Sequence, residues 1–69
     1  MGTNRKKVEE LVRHIVIKFL QQQHEVYEIK VVGFENGIWL VEADVHSSSG
    51  YSVRKIRVHG KTGKIVSVE

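Results

Sequence analysis

Four histidines, His14, His24, His46 and His59, are the only soft metal ligands in a chain of 69 residues without cysteine. His14 and His24 are ten residues apart on or just past a helical segment, about 15 Å along a helix axis. His46 and His59 fall at opposite ends of neighbouring strands. No pair is spaced to share a tetrahedral metal, so we expect neither a metal nor a cofactor. Asp44, His46 and Ser48 alternate as a triad would, but side chains two apart on a strand are about 6.6 Å apart. That is too far for the contact between nucleophile and base. Gly60-Lys61-Thr62-Gly63-Lys64 has the spelling of a phosphate loop, yet Lys55 stands where the first glycine belongs and no helix follows. A GxxG loop of an RNA-binding KH domain joins two helices, whereas strands flank this one. The expectation is a chain that is not an enzyme.

Two features remain. The first is a basic run, Arg54, Lys55, Arg57, Lys61 and Lys64, with His59 and no acid among them. Such a run can track a phosphate backbone, which gives nucleic acid as the second reading. The same residues would also keep a solvated edge hairpin from pairing with other edges, and Glu42 and Glu69 neutralise part of them across strands. The net charge of +3 is too mild to decide for nucleic acid. The second feature is an apolar surface, and it depends on the elements.

Val26 to His46 reads as a β-hairpin, two runs rich in β-branched and aromatic residues about Glu35-Asn36-Gly37. A two-residue Asn-Gly turn would set Lys30 opposite Ala43 and mix charge into an apolar stripe. A three-residue loop with Gly37 left-handed avoids this. It pairs Phe34 with Ile38, Val32 with Leu40 and Lys30 with Glu42 on one face. On the other face Val31 meets Val41, Ile29 meets Ala43 and Tyr27 meets Val45, with Gly33 beside Trp39. Tyr51 to His59 forms a third strand after a Ser47-Ser48-Ser49-Gly50 loop. Its alternation breaks, and a bulge at Arg54-Lys55 restores one apolar side. Lys61-Thr62-Gly63 turns the chain into a fourth strand, with Val58 opposite Val66, Ile56 opposite Val68 and His59 opposite Ile65.

From about Arg5 to Gln23 the pattern is helical, with Val8, Leu11, Val12, Ile15, Phe19 and Leu20 on one stripe and Val16 at its border. Thr3 or Asn4 is the expected cap, and residues 1–4 are expected to fray. Arg5, Lys6 and Lys7 lie in the first turn, where the helix dipole disfavours cations. Nineteen helical residues and a nine-residue strand both span roughly 28–30 Å, so one helix lies along the sheet. The fold class is α+β: one N-terminal helix packed on one face of a four-stranded antiparallel meander, a single domain over 1–69. One helix covers one face only. Val32, Phe34, Ile38, Leu40 and Ile65 are then left together on the outer face, a surface for a protein partner or a homodimer. The sequence has no apolar run long enough to span a membrane and no signal peptide, so we expect a cytoplasmic protein unless it is excised from an exported parent.

The ending Val58-His59-Gly60-Lys61-Thr62-Gly63-Lys64-Ile65-Val66, after a helix and three strands, resembles the PepSY domain, whose pattern runs close to V-D-A-K-T-G-K-V. The order of elements is also similar, less closely, to gas-vesicle accessory protein O. The chain departs from the PepSY pattern at His59, where the family has an acid, and at Gly60, so any role of that acid is not carried over. The resemblance implies a small, non-catalytic inhibitory or interaction module, of the kind found in peptidase propeptides and bacterial envelope proteins.

Overall fold

The computed structural model describes residues 5–69; the expected cap at Thr3 or Asn4 and the fraying of residues 1–4 lie outside them. One helix, α1 (Arg5–Leu20), is followed by β1 (Glu25–Glu35), β2 (Ile38–Ser47), β3 (Gly50–His59) and β4 (Ile65–Val68). The strands form one antiparallel sheet in the order β1-β2-β3-β4, with α1 packed on one side. This is the expected α+β meander.

The helix is rotated from its expected setting. Val12, Val16 and Leu20 are buried, with Val8 packed beside them, a row at i, i+4, i+8 and i+12. Val16, expected at the border, is 0% exposed, while Leu11 stands at 62%. The wide apolar arc of α1 therefore divides: its Val8-to-Leu20 row enters the core, and Leu11 and Phe19 face solvent. The helix also ends three residues early. The N–H groups of Gln23 and His24 both donate to the Leu20 carbonyl, at 3.0 and 2.9 Å, and close the last turn.

Against this row the sheet sets Trp39, Val41, Ala43 and Val45 from β2, and Ile56 and Val58 from β3. The strict alternation along β2 gives each of these a core-facing side chain and leaves Ile38, Leu40, Glu42, Asp44 and His46 on the outer face.

The hairpin tip corrects the expected register. Asn36 and Gly37 have φ of 52° and 79°, the type I′ signature, so the loop has two residues and Phe34 pairs with Trp39. A bulge at Val32 then restores Val31↔Val41, Lys30↔Glu42 and Ile29↔Ala43, all as expected. A second bulge at Tyr27 sets Val26, in place of Tyr27, opposite Val45. The chain thus keeps both the favoured turn and the Lys30–Glu42 pairing.

The bulge expected at Arg54-Lys55 is absent. The β2–β3 ladder runs unbroken from Ile38↔His59 to Ser47↔Gly50, about a two-residue turn at Ser48-Ser49. Tyr51 and Val53 therefore lie on the outer face, and Ser52 and Arg54 on the helix side, so β3 gives the core only Ile56 and Val58. A bulge falls on β4 at Val66, which pairs Ile65 with Val58 and turns Ile65 toward the core, not outward as expected. Ile56↔Val68 stands as expected.

Candidate interaction surface

The outer face is built in rows across the strands by the ladder. Nearest the hairpin tip are Glu35, Ile38 and His59. Next come Leu40, Arg57 and Ser67, with Gly33 opposite Leu40 and Val32 bulged beside it. The third row alternates in charge, Lys30–Glu42–Lys55, and extends to Glu69, whose backbone exchanges hydrogen bonds of 3.2 and 2.7 Å with Lys55. Cross-strand neighbours of opposite charge attract modestly. Glu28, Asp44 and Val53 follow, and an aromatic group closes the far end.

Between the second and third rows lies a hollow of about 210 Å³. Val32 and Leu40 supply its apolar lining, and Glu42, Lys55, Arg57 and Glu69 surround it. Ser67 also lines it, and its hydroxyl is buried without a hydrogen-bond partner. Of the five residues expected to form a partner surface, Val32 and Leu40 meet at this hollow, and Ile38 lies on the same face one row nearer the hairpin tip. Phe34 and Ile65 lie elsewhere. The Phe34 ring packs 4.6 Å from that of Trp39, on the helix side, and Ile65 packs against the core. The apolar patch is therefore smaller than expected, because the two-residue turn and the Val66 bulge each turn one side chain over.

The basic run separates. Lys55 and Arg57 stand on the outer face among Glu42 and Glu69, Arg54 points to the helix side, and Lys61 lies in the turn with Lys64 just beyond it. His59 organises that turn: its Nδ1 lies 3.3 and 3.4 Å from the N–H groups of Lys61 and Thr62, which donate to it.

The aromatic group is a feature that the expected register hides. Tyr27, His46 and Tyr51 meet with ring centroids 4.5–6.4 Å apart, and His46 Nδ1 lies 3.3 Å from Glu25 Oε1. Partial desolvation, then the Glu25 carboxylate and Tyr51, hold the Tyr27 phenol above its ordinary value. Its signal in the sequence is the Ser48-Ser49 turn, which sets His46 opposite Tyr51 once it is read as a two-residue loop. Among the described residues, no cluster of three or more His, Cys, Asp or Glu side chains is placed to hold a metal, and no helix is long and apolar enough to cross a membrane. No family model matches the chain, and no curated protein or solved structure matches it at a significant level.

Proposed function

We propose that this chain is a non-catalytic, PepSY-like interaction module whose outer sheet face takes a protein partner, a second copy of the chain being the one that face fits. The observation that carries the reading is the hollow over Val32 and Leu40 beside the Lys30–Glu42–Lys55–Glu69 row. A two-fold axis along the strands between β1 and β2 would set each Leu40 on Val32 of the second copy, and each Lys30 on its Glu42. Such a contact is isologous, apolar on apolar and opposite in charge along its rim. Three apolar side chains give little surface to offset the entropy of association, so the dimer is weak. The PepSY likeness rests on the sequence of residues 58–66 alone.

Sedimentation over a concentration series tests the proposal. The wild type should shift toward dimer by about 1 mM, the weak end of the affinity scale. Leu40→Lys should stay monomeric with its fold intact, because Leu40 faces away from α1. A wild type that remains monomeric at that concentration, or a Leu40→Lys variant that dimerises equally well, overturns the reading.

A further inference from the structure

Two carboxylates face one another across the outer side of the sheet. Glu28 of β1 is paired directly with Asp44 of β2, and like charges directly opposite one another destabilise a sheet. Among the described residues neither has an ion-pair partner. On β3 the row continues to Val53, which carries no charge. The cations of the next row, Lys30 and Lys55, stand opposite Glu42. Both acids are exposed, so water screens their repulsion without removing it.

The aromatic group borders this pair. Tyr27 adjoins Glu28 in β1, and His46 follows Asp44 by one strand period on the same side of β2. Tyr27 and Tyr51 are 58% and 75% exposed, although their ring centroids are only 5.7 Å apart. A tilt of 45° between their planes keeps them from covering one another as a flat stack would. Each ring therefore still offers π surface to solvent, and the face of an aromatic ring attracts cations. The Glu25 carboxylate lies 3.3 Å from His46 Nδ1, in the same row as that ring and Tyr51. Acids and aromatic rings thus gather at one end of the face, with no lysine or arginine in either row.

We propose that this end of the outer face binds an arginine side chain of a partner protein, with its guanidinium between the Glu28 and Asp44 carboxylates and against the Tyr27 and Tyr51 rings. A cation answers both observations at once. It cancels the repulsion between the two carboxylates, and the ring quadrupoles hold it. A phosphate backbone would be repelled by the same acids. Guanidinium suits the place better than ammonium. Its planar fork donates to two carboxylates together, its flat faces stack on rings, and it gives up its water more easily. The site lies two rows from Leu40 and goes beyond the dimer, since it needs no second copy of the chain.

The test is an NMR titration of the intact chain with acetyl-Gly-Arg-Gly-amide. The chain is kept at about 0.1 mM, where a weak dimer is sparsely populated, and the ionic strength is held constant. Saturable shifts should appear in the Tyr27 and Tyr51 rings and at the Glu28 and Asp44 amides. The dissociation constant should be on the order of 10 mM, because exposed cation–π contacts and exposed ion pairs are each weak. The peptide with citrulline, the uncharged isostere, should give no saturable shift, and the peptide with lysine should bind more weakly. Asp44→Asn should weaken the arginine peptide about two- to fivefold. The same variant should raise the urea midpoint at unchanged slope, since it removes the repulsion. Tyr27→Leu should weaken binding by a similar factor. Leu40→Lys should leave the titration unchanged, so failure of the dimer and failure of this site read out separately. No saturable shift by about 100 mM peptide, tenfold beyond the expected constant, overturns the proposal. Equal binding of the citrulline peptide would mark a neutral ring-stacking ligand such as a sugar and overturns it as well. So does equal binding of the lysine peptide, or an Asp44→Asn variant that binds unchanged or unfolds at lower urea.

Discussion

Gly60 should not tolerate even one methyl group. A Cβ built there would lie 2.7 Å from the Gly37 carbonyl oxygen and 2.9 Å from Cε1 of Phe34, where ordinary contact begins at 3.4 Å. The ring is partly exposed and can turn aside. The carbonyl cannot, because it sits in the tight Asn36-Gly37 turn and accepts the Gly60 N–H at 2.8 Å. Opening the contact from 2.7 to 3.4 Å requires a displacement of about 0.7 Å. That carries the hydrogen bond past the usual limit of about 3.2 Å. A lost bond costs about 0.5–1.5 kcal/mol, and overpacking adds about 1–3 kcal/mol. Replacing glycine returns about 0.4–1 kcal/mol through the unfolded chain. The net loss for Gly60→Ala is about 2 kcal/mol, a large share of the roughly 3–10 kcal/mol expected for a domain this size. Urea unfolding reads the loss as a lower midpoint at unchanged slope. In a Phe34→Ala background part of the loss should disappear, since one of the two clashing groups is gone. A Gly60→Ala protein within about 0.5 kcal/mol of wild type, inside the usual range for surface substitutions, would refute the reasoning.

Val16→Ala should cost about 2–3 kcal/mol by opening a cavity under α1, while Leu11→Ala should be nearly neutral; equal losses in urea unfolding would mean that the buried row is not Val8-Val12-Val16-Leu20. The raised Tyr27 phenol favours the neutral form in the folded chain. Its stabilisation is present below the ordinary tyrosine value and lost as pH rises through the raised one. Glu25→Gln removes one cause, so the phenolate absorbance of Tyr27 should appear at lower pH, and an unmoved titration would remove Glu25 from the account. A gel-shift series with single-stranded nucleic acid should show only weak retention, because the five basic residues do not form one stripe; tight binding that falls steeply with salt would contradict this.

The element order is legible because each segment has its own period: the helical repeat of Val8 to Leu20, then strands punctuated by Asn36-Gly37, Ser48-Ser49 and Lys61-Thr62-Gly63. Bulges are not legible. Charge and apolar pattern point correctly to Lys30 opposite Glu42, and with regular strands that pairing demands a three-residue loop. A bulge at Val32 gives the same pairing behind a two-residue turn. An extra residue in one strand leaves little mark on composition, and each one turns over the residues beyond it. Hence Phe34 and Ile65 lie on the opposite side from the one expected, while Val32, Ile38 and Leu40 do not. The setting of α1 is ambiguous for a different reason. Seven apolar side chains make an arc wider than the sheet can cover, and only tertiary packing selects Val16 over Leu11. The aromatic group is hidden, because it depends on Tyr27 and Tyr51 facing outward, the reverse of what a regular β1 and a bulge at Arg54-Lys55 imply.

Each strand of the meander pairs with the strand next to it in sequence. Only short loops need closing before those contacts form, so little chain entropy is lost in advance of them. The sheet can therefore grow hairpin by hairpin from any of its three turns, without a waiting period for a distant partner. Folding then needs no crossover between strands distant in sequence, the pairing that slows folding most. The bond from Gly60 to Gly37 ties the first turn to the last, and it can form only once the strands of both hairpins are in place.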